Sequence, residues 1–137
     1  MPLTATARSA GDTLRQEVVV AGRHALVTDE PERLGGGDDG PAPHELVPAA
    51  LAACVVTTIR TYARTKAWDV GQVVVDVVYD HKSTPRRFDV AIHLPAGLSQ
   101  LQRQRILRAA AACPVRRAFE AGMVVHEHLA GPATRVA

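Results

Sequence analysis

Two residues in this 137-residue chain could act as nucleophiles of the sulfur kind, and they are far apart: Cys54 in "PAALAACVV" and Cys113 in "AACPVRR". A thiol reacts as its thiolate, so the surroundings of each decide what it can do. Cys113 precedes Pro114, which suits the first turn of a helix. A helix N-terminus and the nearby Arg116 and Arg117 would favour its thiolate. Cys54 lies inside an apolar helical run, where desolvation favours the neutral thiol unless a cation arrives from another element. On residue chemistry alone Cys113 is the more reactive of the two. The alternative is that both are buried core thiols, since free cysteine is among the most buried residue types. Neither has a second cysteine at CxxC spacing, which argues against zinc.

The elements that must position these thiols follow from the pattern of the chain. An apolar fraction of 47% suffices for one domain with a real core, so residues 1–137 read as a single domain. Residues 1–15 are polar and small, a loose arm. "EVVVAGRHALVTDEP" predicts two strands turned at Ala21-Gly22. "ERLGGGDDGPAP" predicts a flexible connector; its glycines lack the Gly-Lys-Ser/Thr ending of a phosphate loop. Val47, Leu51, Cys54, Val55, Thr58, Ile59 and Tyr62 recur at steps of three and four, predicting a long helix from about Pro48 to Lys66. "VGQVVVDVVYDHK" and "RRFDVAIHLP" form a hairpin around "STP". A second helix follows Ser99 as N-cap, with Leu98, Leu101, Ile106 and Ala109-Ala110 toward the core. A short helix over "PVRRAFEAG" is stopped by Gly122. "MVVHEHLA" predicts a last strand. Blocks of strands and helices argue for an α+β layer fold.

Several functional classes are disfavoured. The formal charge is only +2 and aromatics are 4%, so nucleic acid is not an expected partner. No uninterrupted apolar run approaches the ~20 residues of a membrane span, and the N-terminus lacks the apolar core of a secretory signal. A cytoplasmic setting is the expectation, in which two cysteines would not form a permanent disulfide. His126 and His128 alternate on the last strand without a third ligand, so no metal is expected. The first half of the long helix is apolar on every side. One antiparallel sheet covers one side of a helix, so a second copy of the chain is expected to cover the rest.

Three features, in order, resemble the OsmC/Ohr family of osmotically inducible and organic-hydroperoxide-resistance proteins. They are "P-x-E-L" nine residues ahead of a helical cysteine, the "Tyr-Ala-x-x-Lys-x-Trp" helix end, and "Leu-Ser-x-x-Gln-Arg" leading into "Cys-Pro-Val". The resemblance implies antiparallel sheets wrapped around long central helices in an intertwined homodimer. It implies a peroxidase needing no cofactor, in which Cys54 attacks an organic hydroperoxide and becomes a sulfenic acid. Cys113 would condense with it to a disulfide that a dithiol such as dihydrolipoamide reopens. Arg23 in "AGRHAL" would hold the Cys54 thiolate, and Glu45 would hold Arg23. His44 and Leu51 are the implied substrate-binding residues. In the known peroxidases the arginine-holding Glu lies ten residues before the cysteine, and here that position is His44. On a continuous helix Glu45 falls about 900° from Cys54, on the opposite face. Glu45 could therefore be a capping carboxylate and His44 a loop residue. The departure points to a second possibility, an OsmC-like dimer that binds a small apolar ligand at its interface with little peroxidase activity.

Overall fold

The run Val18-Val19-Val20 forms a strand and the turn after it reverses the chain. In the computed structural model, which describes residues 1–133, β2 (Gln16–Val20) and β3 (His24–Thr28) pair antiparallel. Ala21 (φ 55°) and Gly22 (φ 70°) both adopt left-handed backbone between them, a conformation open to glycine and costly for alanine. The N-terminal residues are not a loose arm. Ala5–Ser9 form β1, which lies antiparallel along the free edge of β2 from Ala5↔Val20 to Ser9↔Gln16. An edge strand offers unpaired backbone donors and acceptors, and β1 satisfies them while its own side chains stay exposed. With neither face buried it carries no alternation to betray it.

The glycine-rich segment is folded around one buried carboxylate. Asp29 is 1% exposed and its oxygens accept the backbone N–H groups of Glu30 (2.8 Å), Gly37 (3.1 Å) and Asp39 (3.1 Å). These bonds, that from Asp39 foremost, hold its pKa below the ordinary aspartate value, and Arg15 adds to them. Gly36 is required by packing: a Cβ there would lie 1.9 Å from the Glu30 carbonyl oxygen. The segment expected as a flexible connector is thus pinned in place. Its inward amides hold an anion, and that anion is the chain's own.

A 3-10 turn (Pro43–Glu45) runs directly into α1 (Leu46–Thr65), with Pro48 in its first turn. One stripe of α1 is buried, Leu51, Val55, Ile59 and Ala63, at i+4 spacing. It packs on the inner face of the hairpin β4 (Val74–Asp80) and β5 (Arg87–His93), and on α2 (Gln100–Ala110) and α3 (Pro114–Ala121). Burying a Leu, Val or Ile side chain of this stripe stabilises the fold by roughly 1.5–3 kcal/mol. The remaining faces of α1 are not covered: Ala49, Ala50, Ala53 and Thr57 are exposed. The segment Pro43–Thr65 is long and apolar enough to match a membrane span by length and composition. Counting uninterrupted apolar residues missed this because Thr57, Thr58 and Arg60 break the run; a core helix of an α+β domain meets the same criterion.

Ser99 caps α2 as expected. Its Oγ accepts the Gln102 N–H at 3.1 Å, and Gln102 Oε1 accepts the Ser99 N–H at 2.9 Å, a reciprocal capping box. Ile106 and Ala110 are buried, whereas Leu101 is exposed. Leu101 lies about 140° around the helix from Ile106, off the inward face. Gly122 (φ 78°) ends α3. Residues 123–130, expected as a strand, pair with nothing: Met123, Val124, Val125 and Leu129 are exposed. Val124 and Val125 suit a strand, but a strand needs a partner edge, and no edge of β1–β5 takes this segment.

Ile59→Ala or Ile106→Ala, each removing a side chain with no exposure, is expected to cost about 2–5 kcal/mol in urea unfolding. Because the folded pKa of Asp29 lies below its unfolded value of 3.8, its stabilisation is complete above that value. It is lost as pH falls through the folded pKa. Asp29→Asn should lower the melting temperature at neutral pH and flatten the loss of stability below about pH 4.

Candidate thiol site

Helix α1 carries Cys54 about 60° around its axis from the buried Leu51, so the cysteine sits half-buried at the margin of the core. Cys113 is the N-cap of α3 and is fully buried. Packing of α3 against α1 places Cys113 in the buried cluster and Cys54 against that same cluster. Both are free thiols, and Cys54 contributes to the raised pKa of Cys113. A pair separated by 59 positions in sequence therefore shares one packed cluster.

The ranking expected from residue chemistry is reversed at Cys113. Burial pushes its thiol pKa up, and the hydrogen bond with Cys54 pushes it further. The backbone N–H groups of Arg116 and Val115 at the start of α3 act in the opposite sense and are outweighed. The cations expected to help it do not: Arg116 pairs with Glu120 one turn along α3, and Arg117 is exposed.

The other candidate residues occupy different places. Leu51 is 3% exposed in the core beside Cys54. Arg23 stands in the exposed turn between β2 and β3 and pairs with no carboxylate among the described residues. No residue of the three-stranded sheet belongs to the core around the thiols, so a chain does not present its own Arg23 to its own Cys54. Glu45 Oε1 accepts the Ala42 N–H at 2.8 Å. It caps the turn that opens α1, one of its two readings from sequence. His44 packs edge-on against His81 (centroids 4.9 Å) and Tyr79 (5.5 Å). From Tyr79 an aromatic row continues by stacking on Phe88 (4.5 Å), and Phe88 on Phe119 of α3 (5.2 Å). Sequence reading missed this row. Its signal was the symmetry of the hairpin, which places Tyr79 opposite Phe88.

Beside the thiols a cavity of about 480 Å³ opens between α1, β5, α2 and α3. Leu51, Val55, Phe88 and Phe119 line it, and neither sulfur does. Under native conditions iodoacetamide should modify Cys54 and spare Cys113, because only Cys54 has exposed surface. Peptide mass mapping checks this: labelling of one site that disappears in Cys54→Ser is expected, with both sites labelled in denaturant.

The sequence profile of the OsmC-like protein family matches residues 35–128, from the glycine segment through both cysteines. No curated protein matches the chain. Solved structures superpose over most of it. A Psychrobacter arcticus protein, described as osmotic stress induced and belonging to a detoxification response, has 26% identity and a TM-score of 0.68. The match covers 83% of this chain and 85% of that one. An organic hydroperoxide resistance protein OsmC of Legionella pneumophila has 25% identity and a TM-score of 0.61, over 87% and 89%. An OsmC-like protein of Mycoplasma pneumoniae shares the fold at 16% identity, TM-score 0.70, over 88% of each chain. In its sequence, its antiparallel sheets and its long central helix, the chain belongs to the OsmC-like family.

Proposed function

We propose that this chain is a thiol-dependent peroxidase that reduces organic hydroperoxides. The observation that supports the reading is that Cys113 lies in the buried apolar cluster and Cys54 packs against that cluster. The name of the Legionella relative supports the substrate class. The Cys54 thiolate attacks one oxygen of the hydroperoxide and the O–O bond breaks. With one proton taken up, the alcohol leaves and Cys54 becomes a sulfenic acid. Cys113 attacks the sulfenic sulfur, water is released, and a disulfide forms. A dithiol such as dihydrolipoamide then reduces it by exchange, becoming a disulfide itself and restoring both thiols.

The thiolate of Cys54 needs a cation. In this reading it comes from Arg23 of a second chain, which makes the homodimer part of the mechanism. Two features of one chain support that assembly: the exposed apolar faces of α1 and the unpaired segment 123–130. A guanidinium can hold a thiolate and orient the peroxide oxygen through its fork of donors.

The engagement of Glu45 by the Ala42 N–H favours a second reading. If no carboxylate holds Arg23, peroxide turnover would be slight and the dimer would bind a small apolar ligand at its interface.

Consumption of tert-butyl hydroperoxide with dihydrolipoamide as reductant separates the two. The peroxidase reading expects turnover in the wild type that falls to background in Cys54→Ser. After one equivalent of cumene hydroperoxide, intact mass should show a loss of two hydrogens per chain; in Cys113→Ser it should show a retained oxygen. Negligible turnover with no intrachain disulfide sinks the peroxidase reading. The raised pKa of Cys113 gives a further expectation. Since its thiolate fraction grows with pH, stopped-flow disulfide formation should keep accelerating through and above the ordinary cysteine value of 9.0.

A further inference from the structure

We propose that the cavity between β5 and the three helices is a binding site for an anionic amphiphile, a carboxylate bearing an apolar chain of about a dozen carbons. Its interior is apolar, formed by Leu51 and Val55 of α1, Phe88 and Ile92 of β5, and Phe119 of α3. Its polar lining is strongly one-sided: Arg86, Arg87 and Arg116 stand against a single acid, Glu120. Apolar walls with a few placed charges are the usual make-up of a small-molecule site.

The three arginines are not equally free. Arg116 is taken by Glu120. Arg87 reaches Asp89 at 3.6 Å, with both side chains about two-thirds exposed, a weak surface pair. Arg86 meets no carboxylate among the described residues. Its Nε donates to the His81 carbonyl oxygen at 3.2 Å. That bond orients the guanidinium and leaves its Nη groups to a ligand. A carboxylate matches such a fork bidentately. Size sets the chain length. A cavity of about 150 Å³ holds benzene, so about 480 Å³ accommodates roughly twice as many carbons with room to spare.

The site uses neither sulfur, so it stands whether or not the chain reduces peroxides. A ligand there touches α1 beside Cys54 and α3 beyond Cys113, the two helices that carry the thiols.

Titration calorimetry of the full chain tests the site, with dodecanoate and 1-dodecanol both kept below their aggregation limits. One dodecanoate per chain is expected, bound about tenfold or more tightly than the uncharged alcohol, as one charged hydrogen-bonded contact provides. R86Q/R87Q should bring dodecanoate to the level of dodecanol and leave dodecanol unchanged. V90W, or L107W should V90W fail to fold, places an indole at a cavity wall and should abolish both. Equal affinities for acid and alcohol, an unaltered dodecanoate affinity in R86Q/R87Q, or binding that persists in a folded filling variant each overturn the proposal. So does absence of binding to the folded wild type, the result expected if a second copy of the chain fills the cavity.

Discussion

Burial of one stripe of α1 is the constraint on which the rest of this structure depends. Leu51, Val55, Ile59 and Ala63 must leave water, and the hairpin, α2 and α3 are the surfaces the chain provides for them. That packing fixes where α3 begins. Because α3 begins at Cys113 and Cys54 lies just off the buried stripe, covering the stripe also places both cysteines in one packed cluster. The site is therefore a by-product of the core's geometry, with no loop to hold it and no separate scaffold.

The same packing explains why the two thiols differ. Cys54 keeps some contact with solvent, whereas Cys113 is sealed beneath α3. Two opposed effects meet at Cys113: the amides at the helix start favour its thiolate, and desolvation opposes them. Desolvation wins, because amide dipoles act only over the first turn while loss of water acts from every side. A resolving thiol suits such a place. It has to be unreactive toward other oxidants, and a buried, protonated sulfur meets that need.

Elements whose signals are local were legible in the sequence. The β2–β3 turn at Ala21-Gly22, the Ser99 cap, the stop at Gly122 and the period of α1 each rest on residues within a few positions of one another. What failed rests on distant partners. β1 has two exposed faces, so no pattern announced it; only the open edge of β2 calls it into being. Asp29 was not singled out at the end of its strand segment, yet it organises the glycine loop by accepting amides from residues up to ten positions away. The error at residues 123–130 runs the other way. A β-favouring segment was read as a strand, but local propensity cannot supply the edge to pair with. Of the site, the two cysteines were legible as chemistry, and their pairing was implied only by the family resemblance.

The unfinished surfaces of the chain share one direction of argument. Ala49, Ala50 and Ala53 leave one apolar face of α1 uncovered, residues 123–130 present apolar side chains and an unpaired backbone, and Arg23 stands alone at the tip of a hairpin outside the core. Each is costly or idle in an isolated chain, and a second copy could meet all three needs at once. An apolar helix face can cover its equivalent, a free segment can complete a sheet, and a hairpin tip can carry a guanidinium to a thiol that its own chain leaves without a cation. On this reasoning the catalytic charge and the cohesion of the dimer are one requirement, since the contacts that would bury α1 are those that would deliver Arg23. A monomeric variant would then keep both thiols and lose the guanidinium that the proposed mechanism sets beside Cys54.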